Sequence, residues 1–285
     1  MSAFILKIIA LLVMFTDHSG VVFQPLFNVD LMRCIGRIAF PIFIFFIAEG
    51  CRHTHNIRLY MFRLGLFALI SEFPFDLATA AYTPAPGGFS LHSLNFWADQ
   101  NVFFTFFLGV LCVYLFQTFN KRPYQFIYVI LIPFVIWLGD KLHTDYGSAG
   151  VLFVFILYIL PYGPREAGKP LTMSAKGKVY RLIALFCLLF YLYIIGWMNF
   201  TNARMILRTG GFITLLEKLP QVFYDPEFAV NLMLFSCVSL FLLAFYNNER
   251  GKPLKWFFYA AYPLHLFILG VIRIIYVIPK AYGMH

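Results

Sequence analysis

Apolar residues occur along this chain in blocks of about 18 to 22, separated by short polar stretches. A helix rises about 1.5 Å per residue, so each block is long enough to cross the roughly 30 Å of hydrocarbon in a bilayer. The pattern predicts an all-α bundle of membrane-spanning helices that forms a single integral-membrane domain over residues 1–285. The nine predicted spans lie at about 4–24, 34–51, 59–80, 101–119, 124–142, 148–163, 179–198, 228–246 and 255–278.

Composition excludes an ordinary soluble domain. Hydrophobic residues make up 61% of the chain and charged residues only 12%, where a typical globular protein has about 25% charged residues. The formal net charge of +9 would suit a nucleic-acid partner, but in a multispanning protein basic residues collect in cytoplasmic loops. We therefore expect contacts with membrane lipid and no nucleic-acid binding.

The distribution of basic residues predicts the orientation of the chain. Most of the 22 Lys and Arg residues lie near the N-terminus and in every second loop between the predicted spans. The positive-inside rule then places the N-terminus in the cytoplasm and, with an odd number of spans, the C-terminus outside. The two longest outer segments are predicted to be a turn-rich loop at 83–101 and a stretch with an amphipathic piece at 199–227.

Two negative expectations follow from the apolar runs. The five cysteines lie within or at the ends of these runs without a CxxC spacing, so we interpret them as packing residues and expect no metal site. The first run lacks a small-residue cleavage pattern, so no cleavable signal is predicted.

The first predicted span contains FTDHSG, which places Asp17 and His18 where hydrocarbon should surround them. A charged side chain at mid-membrane costs about 2.5–3.5 kcal/mol, so each needs a partner or a function. Lys7 and His18 share one helical face, whereas Asp17 points about 100° away. We expect Asp17 to pair with Arg37, which lies at a comparable depth on the second span, as a structural ion pair or in a direct role.

His18 has two interpretations. It could form a packing hydrogen bond between helices, or act as a general base near neutral pH. His265, two residues after Pro263 in YAAYPLHLFILG, is likewise either a cavity-lining group or a satisfied core histidine.

Two further acidic clusters interrupt the apolar pattern. Glu72 and Asp76 in SEFPFD are four residues apart, which puts both carboxylates on one helical face; the alternative is a kinked outer helix end with solvated acids. The segment GDKLHTDYGSAG gathers acids and an imidazole, including Asp145, and a polar turn at Gly147 is favoured over a metal site.

Several ordered motifs resemble the TraX family of membrane proteins: LKIIALLVMFTDHSG, RCIGRIAFPIFIFFIAEG, FRLGLFALISEFPFDLA, NVFFTFFLG, DYGSAGVLFVFILY and AFYNNERGKPLKWFFYAAYPLHLFIL. The first two also resemble, more loosely, the opening helices of transmembrane acyltransferases of the heparan acetyltransferase type. The name-giving TraX member is associated with N-terminal acetylation of conjugative pilin. The resemblance therefore implies a bacterial inner-membrane acyltransferase that uses acetyl-CoA.

Carried over position by position, the resemblance points to the polar residues inside the matching motifs, which are Asp17, His18, Arg37, Glu49, Glu72, Asp76, Asp145 and His265. His18 is expected to deprotonate the acceptor, with His265 as the alternative base or the donor to the oxyanion. Asp17 and Glu72 join this catalytic group, and Arg37, Asp76, Asp145 and Glu49 are assigned orienting roles. The residues expected to bind the CoA phosphates are Arg52, Arg58, Arg63, Lys178, Arg181, Arg250 and Lys252.

The expected activity is transfer of acetyl from cytoplasmic acetyl-CoA to an acceptor at the outer face. That acceptor is a pilin N-terminus or another amine or hydroxyl of an envelope protein, glycan or lipid. Two other classes stay open: a proton-coupled transporter, because buried Asp, Glu and His residues suit a proton relay, and a non-catalytic scaffold. The oligomeric state is also open.

Overall fold

The computed structural model describes residues 1–82, 94–95, 98–120, 123–163, 171–195, 213–214 and 226–283. These residues form α-helices and contain no β-strand, which confirms the predicted helical membrane bundle. The helices are α1 Ala3–Phe23, α2 Asp30–Gly36, α3 Ala39–His53, α4 Ile57–Thr79, α5 Val102–Phe119, α6 Gln125–Lys141, α7 Gly147–Ile159, α8 Ala175–Phe190, α9 Pro226–Ala244, α10 Lys255–Ile272 and α11 Ile278–Tyr282. Short π-helical turns, Tyr191–Ile195 and Arg273–Val277, extend α8 and α10.

Six segments of the described chain are long and apolar enough to cross a membrane: Ala3–Phe23, Asp30–His53, Val102–Phe119, Ala175–Ile195, Glu227–Ala244 and Lys255–Tyr282. The predicted count of nine is therefore not confirmed. Helices do form at the other three predicted positions, but α6 has 17 residues, α7 has 13 and α4 carries several charged residues. The predicted segments 83–101 and 199–227 lie mostly outside the described residues.

The second predicted span, 34–51, differs most from the structure. It begins earlier, at Asp30, and it is divided into α2 and α3 at Arg37 and Ile38. The N–H of Arg37 bonds to the carbonyl of Cys34 at 3.2 Å, a tightened turn that re-aims the chain while the backbone stays right-handed. This break positions the Arg37 side chain beside α1.

Polar caps explain where several helices begin. The side chains of Asn56, Asn101 and Ser174 accept hydrogen bonds from the first backbone N–H groups of α4, α5 and α8. Each of these helices therefore starts with one of its exposed donors satisfied inside the protein.

Packing places the ends of the helices into two groups. Helix α10 lies against α4, and α1 lies between α2, α3 and α10 around a core that includes Leu6, Ala10, Ile42 and Phe45. The ends of α3 and α7 and the starts of α4, α8 and α10 share one end of the bundle, which we call the basic end. The end of α4, the start of α5 and the turn between α6 and α7 share the opposite end.

Candidate functional site

The two imidazoles considered separately from the sequence are in direct contact. His18 on α1 and His265 on α10 are 247 positions apart, yet His18 Nδ1 lies 2.6 Å from His265 Nε2. Their rings are nearly parallel, with centroids 4.9 Å apart and an interplanar angle of 16°, and Phe15 stacks on His265 with centroids 4.3 Å apart. Both histidines are buried, with 8% of each residue exposed.

A backbone carbonyl fixes the protons of this pair. His265 Nδ1 lies 2.9 Å from the carbonyl oxygen of Ala261, which can only accept, so Nδ1 carries the hydrogen. In neutral His265, Nε2 is then an acceptor, and His18 Nδ1 donates to it. The lone pair of His18 is therefore left on Nε2, which has no hydrogen bond to any described residue. A histidine with its other nitrogen occupied in this way is suited to remove a proton.

Asp17 pairs with two arginines rather than one. Its Oδ1 lies 3.2 Å from Arg37 Nη2, which confirms the pairing expected from the sequence, and 2.9 Å from Arg33 Nη1. The side chains are partly buried, with 15% of Asp17, 15% of Arg37 and 28% of Arg33 exposed. Sequence reasoning missed Arg33, although its position one helical turn before Arg37 puts both guanidinium groups on one face.

Gly36 allows this ion pair to form. A Cβ atom at Gly36 would lie only 2.1 Å from the Cβ of Asp17, so any larger residue would push α1 and α2 apart. The close approach brings the start of the second span against the side of α1 that carries Asp17.

His18 borders a small space that we call the histidine pocket. Its volume is about 30 Å³, room for a water molecule, and its polar lining comprises Asp17, His18, Asp145, Tyr146 and Tyr262. The hydroxyl of Tyr262 is buried and donates no hydrogen bond to a described residue. Neither tyrosine was a candidate from the sequence, because nothing in an aromatic-rich chain marks the two that face a pocket.

A larger space, which we call the acidic cavity, lies at the end of the bundle opposite the basic end. It has a volume of about 610 Å³, and Asp76, Asp99, Asp145 and His143 contribute its ionisable lining groups. No Lys or Arg is among the described residues that line it. Asp145 lines both this cavity and the histidine pocket.

The turn that carries Asp145 is held rigidly. Gly147 has a φ of 51°, in the left-handed region, and the carboxylate of Asp140 accepts the N–H of Ser148 at 2.6 Å, which confirms the predicted polar turn. The backbone N–H of Gln100 donates to the carbonyl of His143 at 2.9 Å and ties the turn to the start of α5. No three His, Cys, Asp or Glu side chains of the described residues lie close enough together to hold a metal.

Both acids of SEFPFD are buried, so the alternative that they are solvated acids at a kinked outer helix end is wrong. Glu72 Oε2 accepts the backbone N–H of Asn101 at 3.3 Å and its side-chain amide at 2.5 Å. Asn101 also caps α5, so Glu72 joins α4 to the start of α5. These contacts give Glu72 a structural position, and Glu72 is not among the residues that line the histidine pocket.

Glu49 lies near the basic end, away from the histidines. Its Oε2 accepts the hydroxyl of Tyr162 at 2.5 Å and lies 3.7 Å from His53 Nε2. Burial, together with the nearby Glu49 carboxylate, raises the pKa of Tyr162 above its usual range, so this hydroxyl remains a donor. The orienting role expected for Glu49 therefore concerns the basic end.

Three of the seven residues expected to bind CoA instead satisfy carbonyl groups at helix ends. Arg52 donates to the carbonyls of Tyr158 and Leu160, and Arg181 donates to those of Leu160, Pro161 and Gly177. Lys178 donates to the carbonyl of Tyr246 at 2.6 Å. Arg181 is only 1% exposed, so it is not accessible to a cofactor at the surface. Pro161 ends α7 and leaves carbonyls unpaired, which explains why cations gather there.

The other four candidates remain available near the basic end. Arg58, Arg250 and Lys252 are exposed, whereas Arg63, on the same helix as Arg58, is half-buried and donates a hydrogen bond to the hydroxyl of Tyr259. The guanidinium of Arg58 lies 5.5 Å from the ring centroid of Tyr114, an arrangement that leaves its N–H groups free for a ligand.

Comparison with known proteins decides the family. The sequence profile described as TraX protein matches residues 2–273 of the chain. The chain belongs to the TraX family. A TraX relative, Protein TraX of Escherichia coli, is 26% identical over 271 residues, which cover 95% of this chain and 86% of the relative.

A second relative of this TraX family protein is the probable fimbrial assembly protein FimC, serogroup H1, of Dichelobacter nodosus. It is 29% identical over 159 residues, which are 55% of this chain and 61% of the relative. The chain thus aligns with about three fifths of the length of FimC. No solved structure matches the chain.

Replacing Asp17 with asparagine should destabilise the protein. The neutral amide leaves Arg33 and Arg37 without their shared counter-charge, and removing one partner of a buried pair costs about 3–5 kcal/mol; the partial exposure of Arg33 favours the lower figure. Thermal unfolding in detergent should show a clearly lower midpoint. Asp30→Asn is the matched control, because Asp30 is an exposed acid on α2. Equal midpoints for the two variants would contradict the structural role of Asp17.

Proposed function

We propose that this TraX family protein is a membrane acetyltransferase that uses acetyl-CoA from the cytoplasmic side and acetylates an acceptor at the outer face. The observation that carries the proposal is the His18–His265 pair, in which the Ala261 carbonyl leaves the lone pair on His18 Nε2. An amine or hydroxyl has to lose its proton as it attacks a thioester, and a histidine in this state is the group that can take it.

In the proposed reaction, each bond that forms is matched by a bond that breaks, and the described residues take up the proton. The acceptor nitrogen or oxygen forms a bond to the acetyl carbon while its proton moves to His18 Nε2, and the carbon–sulfur bond then breaks to release the CoA thiolate. Tyr262 lines the same pocket, and its hydroxyl donates no hydrogen bond to a described residue. We therefore propose that this hydroxyl donates to the oxyanion. His265 has both nitrogens occupied, so we assign it to positioning His18 rather than to either alternative role.

The donor approaches from the basic end. Arg58, Arg63, Arg250 and Lys252 can bind the phosphates of CoA there, and Lys7 on α1 adds a positive charge near Arg250. Along α1, Lys7 and His18 are separated by eleven residues, or about 16 Å. This separation suits an extended acyl carrier arm whose phosphates stay at the surface, and the histidine pocket, which has a volume of about 30 Å³ in this structure, widens to admit the thioester.

The acceptor is proposed to be a pilin N-terminus or another envelope amine or hydroxyl. Support comes from the D. nodosus relative, whose name concerns fimbrial assembly, and from membership of the TraX family. The competing class is a proton-coupled transporter, since His18 and Asp145, which line one pocket, also suit a proton relay. Acetyl-CoA-dependent labelling of an acceptor separates the two classes, because a transporter labels nothing.

His18→Ala should reduce acetyl transfer by about 10²–10⁴-fold while the protein still inserts and binds CoA, because the base acts in the transition state. His265→Gln should lose less activity than His265→Ala, since the amide oxygen can still accept from His18 Nδ1. His55→Ala, at an exposed position, is the control. Transfer to a pilin N-terminal peptide from labelled acetyl-CoA is the measurement. Near-normal transfer by His18→Ala would remove the proposed mechanism.

Charge reversal at the basic end should weaken CoA binding. Arg58→Glu with Arg63→Glu should raise the Kd by about tenfold or more at low salt, and by less at high salt, because charge-assisted contacts to phosphate are screened. Isothermal titration with CoA measures the effect. Lys280→Glu is the control at an exposed position near the other end of α10. If reversals at all four available residues leave the Kd unchanged, the proposed approach of the donor is wrong.

A further inference from the structure

The proposed reaction leaves His18 with a proton that it has to lose before the next turnover. His18 Nδ1 is already bonded to His265, and the chain of hydrogen bonds ends there at the Ala261 carbonyl, which cannot accept a proton. The rings of Phe15 and Tyr262 close this side of the pair. Within the described part of the chain, the route left for the proton runs from Nε2 into the histidine pocket, which His18 lines.

Asp145 is the described ionisable side chain shared by the histidine pocket and the acidic cavity. His18 and Asp145 both line the pocket, which has room for a water molecule, and a general acid and base can exchange a proton through one water. On its other side, Asp145 is exposed to the 610 Å³ cavity, which is large enough for many water molecules. A proton that reaches this carboxylate can therefore pass to bulk solvent.

We propose that Asp145 is the proton-relay residue that receives the proton from His18 and releases it to the acidic cavity. The inference rests on the proposed acetyltransferase function. In this step an N–H bond of the His18 imidazolium breaks, an O–H bond forms on the Asp145 carboxylate, and the proton then moves to cavity water. The CoA thiolate leaves at the basic end and takes its proton from the water there.

The charges around Asp145 suit this role. Desolvation on the side that faces the helices raises the pKa of Asp145 to about 6. Arg37 and Arg33 lower its pKa, while Asp17 and Asp99 raise it. The other ionisable groups that face it across the pocket and the cavity are Asp76, His143, Tyr146 and Tyr262. A carboxyl group that titrates near pH 6 can both accept and release a proton near neutrality.

The test compares the first turnover with later turnovers. Asp145→Asn keeps the size of the side chain and removes the proton acceptor. Its first turnover, measured by rapid mixing of the reconstituted protein with acetyl-CoA and an amino-terminal pilin peptide, should stay within about twofold of wild type. Its steady-state rate should fall by about tenfold or more, because regeneration of His18 becomes limiting. Added imidazole, a soluble proton acceptor small enough for the cavity, should restore part of the steady-state rate.

The pH dependence and a matched variant complete the test. The wild-type steady-state rate should fall as the pH drops through about 6, where Asp145 becomes protonated, and Asp145→Asn should lack this fall. Asp99→Asn, which alters the same cavity but not the histidine pocket, should keep both the first-turnover rate and the steady-state rate. If Asp145→Asn lowers the first-turnover rate and the steady-state rate equally, or lowers neither, the relay is overturned. Absence of transfer by the wild type would instead reject the proposed function.

A second measurement needs no variant. With wild-type protein in sealed vesicles and acetyl-CoA on one side only, the relay predicts that the CoA side becomes more alkaline as thiolate takes up protons, while the acceptor side becomes more acidic. If His18 returned its proton directly to the thiolate, the CoA side would show no change during acetyl transfer. That outcome would overturn the relay while leaving the acetyltransferase proposal intact.

Discussion

A carboxylate inside a membrane protein has to find its counter-charge within the protein, and Asp17 finds it in Arg33 and Arg37. The two arginines come from the short helix before the break at Arg37 and Ile38, and Gly36 lets this helix approach α1 closely. The ion pairs thereby fix one side of α1. His18, the residue after Asp17, faces another direction and contacts His265 on α10. One stretch of two polar residues thus joins three parts of the bundle.

The sequence was sufficient for some features and not for others. Hydrophobic blocks located the helices to within a few residues, and matching depth paired Asp17 with Arg37. The break at Arg37 and Ile38 was missed because it contains neither proline nor a polar run that marks it. The contact between His18 and His265 depends on how α1 packs against α10, which local periodicity does not encode. The burial of Arg181 was missed because the sequence does not show which helix-end carbonyls lack a donor.

The distribution of charge gives the bundle a direction. Many cations gather at the basic end, some of them bound to helix-end carbonyls and others exposed, whereas Asp76, Asp99 and Asp145 line the cavity at the opposite end, and no described Lys or Arg lines it. Between these ends lies the histidine pair, buried among aromatic rings. Low-dielectric surroundings strengthen the electrostatic effect of every group that faces the histidine pocket. In the proposed reaction, the anionic donor from one end and the acceptor from the other meet at this pair.

Transfer across the membrane tests this account most directly. Purified protein is reconstituted in sealed vesicles, with labelled acetyl-CoA supplied only on the side of the basic end and a pilin N-terminal peptide only on the other side. The account predicts label on the peptide, dependent on the protein and lost with His18→Ala. Label that requires donor and peptide on the same side, or no label on any amine or hydroxyl acceptor supplied, would contradict the proposal that this bundle passes acetyl groups from one face of the membrane to the other.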